Sequence, residues 1–303
     1  MRIIDSYTST MHVHVRYYIY QPKVVLRIKG IVQIHHGLGE HAELYDHFAS
    51  YLLSRGFVVV LSDFVGHGQS LIDFEQGYFG KENGPENIVE DMKHLVEVIR
   101  KSYPEEPYFL LGVNMGSIFI QKFISQYGDF VDGILLLGTF SKTRFKMLKH
   151  GYLMLAKAIY GPTHKGHHMY KWLYNHWNKG FGNSEVDWFS SDDEEKEKYL
   201  EDPMSHFIYP VQGYHDIIKT VSEVNSDELI QTIPQYLSVY IGVGEHDPIS
   251  RDVKKLVEKY KKHGIRDLTF EVFNDCRNAV LFEKNKKFVY KHILNWLNDR
   301  TYL

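Results

Sequence analysis

Residues 112–116 read Gly-Val-Asn-Met-Gly. They lie where an apolar run over 108–111, which predicts a buried strand, meets an amphipathic run over 117–127, which predicts a helix. A strand, a Gly-x-nucleophile-x-Gly pentapeptide and a helix make a nucleophile elbow, whose paired glycines let the chain turn so sharply that the central side chain stands above the sheet. A serine at that point would attack an acyl carbon, but this chain carries Asn114. A carboxamide has no ionisable proton for an imidazole to remove, so it cannot form the alkoxide-like nucleophile of acyl transfer. Upstream, a short apolar run over 31–35 ends in His36-Gly37-Leu38-Gly39, whose backbone N–H groups are placed to face a developing oxyanion. Donors of that kind, at Leu38 and Met115, do not depend on the side chain at position 114.

The elements that must position these residues follow in alternation. Strand-like runs occupy 57–61, 134–137, 237–241 and 268–273, and helical patterns occupy 44–55, 86–102, 252–263 and 286–298. Residues 1–21 alternate as strands. Strands interleaved with helices predict a mostly parallel central sheet flanked by helices, with ligands at the carboxyl ends of the strands.

Five segments in one order carry a resemblance: His36-Gly37-Leu38-Gly39-Glu40-His41, Gly66-His67-Gly68-Gln69-Ser70, Gly77-Tyr78-Phe79-Gly80, residues 112–116, and Gly244-Glu245-His246-Asp247-Pro248. Asp202-Pro203 and Gln212-Gly213-Tyr214 match as well. The chain resembles the monoacylglycerol lipase and lysophospholipase branch (serine aminopeptidase S33 type) of the α/β-hydrolases from about residue 30 to its end. That resemblance implies an α/β-hydrolase core formed by 1–138 and 231–303, with a helical lid, 139–230, inserted after the sixth core strand.

Position by position, the resemblance implies that Asp247 is the retained triad acid, which would hold an imidazole in one tautomer and stabilise its cation. The family's Gly-Ala-Arg-His-Glu segment matches Asp275-Cys276-Arg277-Asn278-Ala279, so Asn278 stands at the base position. Val113 and Ala279 also depart from the pattern. These changes fall together on the reaction centre, and the expectation is a degenerate triad with a surviving oxyanion hole. Ser117 is expected to be a structural serine in the first helical turn, and His35, His36 and His67 to be supporting histidines. Deamidation of Asn114 would create a carboxylate nucleophile, yet Asn278 could not activate water to clear the resulting ester.

Residues 139–182 contain Lys142, Arg144, Lys146, Lys149, Lys157, Lys165, Lys171 and Lys179 and no Asp or Glu, interleaved with aromatic and aliphatic residues. Two readings stand: a solvated helix closing the pocket, or a basic amphipathic helix that makes peripheral membrane contact. The acidic run Asp192, Asp193, Glu194, Glu195 and Glu197 is placed to pair with those cations within the lid.

No cofactor and no metal site are expected, because the His164, His167, His168 and His176 group lacks Cys or carboxylate at zinc-like spacing and no phosphate loop occurs. A formal net charge of −3 argues against a general nucleic-acid binder. The lone Cys276 suits a reducing cytoplasm, and the N-terminal stretch lacks the apolar core of a signal peptide. Three functions remain open on the sequence: a catalytically impaired pseudohydrolase that binds an acyl lipid or small hydrophobic ligand, a weak or non-standard carboxylic ester hydrolase, and a lid-mediated membrane or protein interaction module. The oligomeric state is not legible.

Overall fold

The computed structural model describes residues 1–23, 27–73, 75–140, 146–182 and 184–301, with only the backbone of 146–150. Its eight-stranded sheet starts with a hairpin, β1 (Arg2–Thr8) and β2 (His14–Tyr20). It continues through β3 (Gly30–His35), β4 (Phe57–Ser62), β5 (Tyr108–Val113), β6 (Gly133–Leu137), β7 (Ser238–Gly244) and β8 (Leu268–Phe273). The spatial order is β1-β2-β4-β3-β5-β6-β7-β8. β2 runs antiparallel to both of its neighbours, and the other pairings are parallel.

β3 to β6 are buried along their whole length, which explains their continuous apolar sequences: a parallel strand covered on both faces has no solvent side. Their alternate side chains feed two separate cores. Ile31, Val58, Leu110, Ile134 and Val239 pack with α2 (Gly84–Arg100), α3 (Met115–Tyr127) and α9 (Val253–His263) on one face. Val32, Val59, Leu111, Leu135 and Tyr240 pack with α1 (Asp46–Leu53) and α10 (Lys286–Asn298) on the other.

The helix expected over 44–55 splits into a 3₁₀ turn, Ala42–Tyr45, followed by α1. The Ala42 N–H is taken by the Asp63 carboxylate at 2.8 Å and the Tyr45 hydroxyl by Glu40, so the first turn is tied to the core before the α-helix begins. The elbow helix starts at Met115, two residues before its sequence pattern, because the turn at Asn114 feeds straight into it.

Between β6 and β7 lie α4 (Lys146–Tyr160), α5 (His167–Trp177), α6 (Asp193–Glu201), α7 (Val211–Val224) and the short α8 (Asp227–Ile230). Within the stretch read as a lid, α7 packs against the core helices α2 and α3 and also carries α4. On α4, Leu153 and Ala156 are buried, whereas Tyr152, Met154, Leu155, Ile159 and Tyr160 are exposed. Lys142, Arg144 and Phe145 lie outside the described residues, as do the side chains of Lys146 and Lys149.

Among the described residues the acidic run pairs with cations other than those of the basic stretch. Asp192 caps α6, Asp193 pairs with Lys196, Glu194 and Glu195 with Lys198, and Glu195 with Lys286 of α10. Local i,i+3 and i,i+4 spacing brings Lys196 and Lys198 beside these carboxylates, and the fold brings Lys286. Lys165, from the basic stretch, pairs with Glu75 instead. Among the described residues no helix is long and apolar enough to cross a membrane.

Candidate active site

The elbow works by close approach of backbone to backbone. A Cβ on Gly112 would fall 2.6 Å from the Gly116 carbonyl carbon, and one on Gly116 would fall 2.3 Å from the His35 carbonyl oxygen, so neither position accepts a side chain. Between them Asn114 sits at φ 46°, ψ −110°, a conformation uncommon for a residue with a Cβ. The turn is stitched in place by Asn114 N–H to Leu137 O (2.8 Å) and Gly116 N–H to His36 O (3.1 Å). The second bond joins the elbow to the His36-Gly37-Leu38-Gly39 loop.

The three side chains singled out from the sequence meet in one line. Asn114 Nδ2 donates to Asn278 Oδ1 at 2.7 Å, and Asn278 Nδ2 donates to Asp247 Oδ2 at 2.9 Å and to Gly138 O at 3.0 Å. Asp247 Oδ1 accepts the N–H groups of Ile249 (2.7 Å) and Ser250 (3.2 Å). All three side chains are buried. Burial pushes the Asp247 carboxyl up, while the N–H groups of Ile249 and Ser250 and the Asn278 amide pull it back.

Hydrogen-bond polarity fixes both amides. The Asp247 carboxylate and the Gly138 carbonyl only accept, so Asn278 must turn its NH₂ toward them and its oxygen toward Asn114, which must then offer its own NH₂. The other end of the Asn114 amide, Oδ1, is buried and has no hydrogen-bond partner among the described residues.

Met115 N–H opens α3, where the first amides of a helix lack internal acceptors. Among the described residues neither Met115 N–H nor Leu38 N–H donates to a protein acceptor. The loop that carries Leu38 is held from several sides. Glu40 accepts Gly37 N–H at 2.8 Å and the Tyr45 hydroxyl, and burial lifts its carboxyl to about 7 against these bonds. Tyr199 donates its hydroxyl to Leu38 O (3.0 Å), Gly39 N–H donates to the Tyr209 hydroxyl (2.8 Å), and His41 Nε2 meets Asp202 at 2.7 Å. Sequence reasoning missed Tyr199 and Tyr209; the signals nearby were the matching Asp202-Pro203 and Gln212-Gly213-Tyr214 segments.

The supporting histidines are buried and engaged elsewhere. His36 Nε2 accepts Phe64 N–H (3.1 Å) and its Nδ1 bonds Gly37 O, while His67 Nε2 meets the Tyr209 hydroxyl at 2.6 Å. His35 Nε2 pairs with Gln33 at 2.9 Å. Burial lowers all three, His35 and His67 to about 3, which keeps them neutral. Ser117 bonds Asn114 O and the Thr139 hydroxyl, and the Ser250 hydroxyl donates to Thr139 O at 2.6 Å. Among the described residues, no serine–histidine pair stands beside Asp247. Glu245, His246 and Asp275, all exposed, bring ligand-type atoms within 4.8 Å of one another.

The serine aminopeptidase S33 family pattern matches residues 27–285. The chain belongs to this family. Within it the chain lies on the monoglyceride lipase-like branch of the α/β-hydrolases. It is similar to mouse monoglyceride lipase (32% identity over 109 residues, 36% of this chain and 34% of the relative) and human monoglyceride lipase (32% over 142 residues, 44% and 45%). These alignments span less than half the length of the relatives. In three dimensions this S33 family member matches a thermostable carboxyl esterase from Bacillus coagulans, solved in complex with glycerol, at TM-score 0.89 and 22% identity over 98% of both chains. It also matches a monoglyceride lipase from Saccharomyces cerevisiae at TM-score 0.78 and 17% identity, over 99% of this chain and 96% of the other. Likenesses at such identity speak for the fold.

Proposed function

We propose that this chain is a pseudohydrolase that binds an acyl lipid or similar small hydrophobic ligand without hydrolysing it. The observation that carries this reading is the Asn114–Asn278–Asp247 relay. It runs in the direction of a Ser-His-Asp triad, donor to intermediate to acid, but an amide nitrogen at neutral pH neither yields a proton to a neighbour nor takes one up. The open N–H groups of Leu38 and Met115 still offer a carbonyl two donors. A groove of about 300 Å³, walled by Tyr45, Phe189, Tyr199 and Phe282 together with Glu195, Lys198 and Lys286, borders the residues that brace this loop and does not reach Leu38, Asn114 or Met115. The monoglyceride lipases among its relatives point to an acyl glycerol as the first ligand to try. The buried free thiol of Cys276 fits a reducing, cytoplasmic setting.

The experiment is reversion. Asn114→Ser combined with Asn278→His should gain turnover of monoacylglycerols or lysophospholipids over a native chain that has none. Turnover by the native chain that vanishes in Asp247→Ala would favour a weak ester hydrolase and overturn the non-hydrolytic reading.

A second reading, peripheral membrane contact, is favoured by α4. Met154, Leu155, Ile159 and Tyr160 are exposed on a helix whose neighbourhood is rich in lysine.

A further inference from the structure

The unpartnered oxygen of Asn114 says more about the ligand. Building on the acyl-binding reading above, we propose that the site selects acyl amides over esters, with Asn114 as the residue that sets the preference. Three observations lead there. Asn114 is only 1% exposed, and its Oδ1 has no hydrogen-bond partner among the described residues. Its Nδ2 is committed to Asn278, whose orientation is locked by Asp247 and Gly138, so the amide cannot rotate to relieve the oxygen. The donors of the site, Leu38 N–H and Met115 N–H, lie on the loop and the helix that flank Asn114 and are joined by Gly116 N–H to His36 O.

An acyl group whose carbonyl oxygen takes those two donors brings the substituent on its acyl carbon over Asn114. What that substituent offers decides the outcome. An ester oxygen carries only lone pairs and would leave Oδ1 unpaired, opposed by a second acceptor. An ionised fatty acid would place negative charge against it. An amide N–H donates to it, so that one ligand satisfies two backbone donors and the orphan acceptor together. Oδ1 is unsatisfied before binding, so an amide that pairs it regains that bond on arrival, whereas an ester gains nothing there and sets a second acceptor against it. The exchange at position 114 thus changes the group facing the ligand from a hydroxyl that can donate to a carbonyl that can only accept.

The test is isothermal titration of the native chain with octanamide, methyl octanoate and N,N-dimethyloctanamide, which share an acyl tail and differ in the N–H. Octanamide should bind about ten-fold or more tightly than either of the others. The preference should vanish in Asn114→Gly, a variant suited to the left-handed backbone there. Equal binding of the amide and the two donor-free ligands by the native chain overturns this inference and leaves acyl binding standing, as does a preference that survives in Asn114→Gly. Absence of binding by all three removes the acyl-binding reading and this inference with it.

Discussion

Asn114 donates to Asn278 across 2.7 Å, and the direction of that bond is dictated one step further on, by Asp247. Because the Gly138 carbonyl beside Asp247 can only accept, Asn278 must turn its NH₂ that way, each amide is left a single orientation, and the three residues behave as one unit.

Catalytic units fail and recover as wholes. Asn114→Ser alone lacks a base and Asn278→His alone lacks a nucleophile, so each should remain at background in an ester hydrolysis assay, while the double variant rises by far more than the product of the single effects. Equal gains in one single variant would show that the relay is not the limiting loss.

Removing Asp247 should unsettle the site. In Asp247→Ala the N–H groups of Ile249 and Ser250 and one N–H of Asn278 lose their acceptor in a buried place, a cost of about 3 kcal/mol in urea unfolding. An unchanged midpoint would mean that water replaces the carboxylate freely.

Glu40 should make stability depend on pH. Its carboxyl rises from 4.5 to about 7 on burial, so the stability due to its protonated form is complete below 4.5 and is lost as the pH climbs through 7. Asp63, lifted from 3.8 to about 6 by burial, acts in the same direction. Glu40→Gln stays neutral and should gain on the native chain between these limits, by up to about 3 kcal/mol, with a constant difference at higher pH. Urea titrations at several pH values would read this, and a difference independent of pH would refute it.

The exposed face of α4 separates binding from folding. Leu155→Asp and Ile159→Asp should each reduce flotation with anionic phosphatidylserine vesicles at low salt while leaving the melting temperature within about a degree, since Leu155 is 61% and Ile159 60% exposed. Flotation that ignores both changes would remove the membrane reading.

Much of this was legible from residues 30–137. Buried parallel strands write themselves as unbroken apolar runs, and Gly112 and Gly116 announce a turn that admits no side chain. The convergence of Asn114, Asp247 and Asn278 followed from the family pattern rather than from spacing, since 164 residues separate the two amides. Two features were illegible for a physical reason. The acidic run at 192–197 looked like a counterpart for the basic helices, but charges pair with what folding brings nearest, and that was Lys196, Lys198 and Lys286. The bonds of Tyr199 and Tyr209 to the Leu38 loop span 161 and 170 residues, and nothing local in a tyrosine's neighbours announces such a contact.

Those tyrosine bonds, together with His41 to Asp202, come from α6 and from the stretch between α6 and α7. A ligand therefore meets a preassembled corner. In the proposed binding mode the backbone that would receive a carbonyl is held by three anchors beforehand, and recognition is spared the entropy of ordering a loop on arrival.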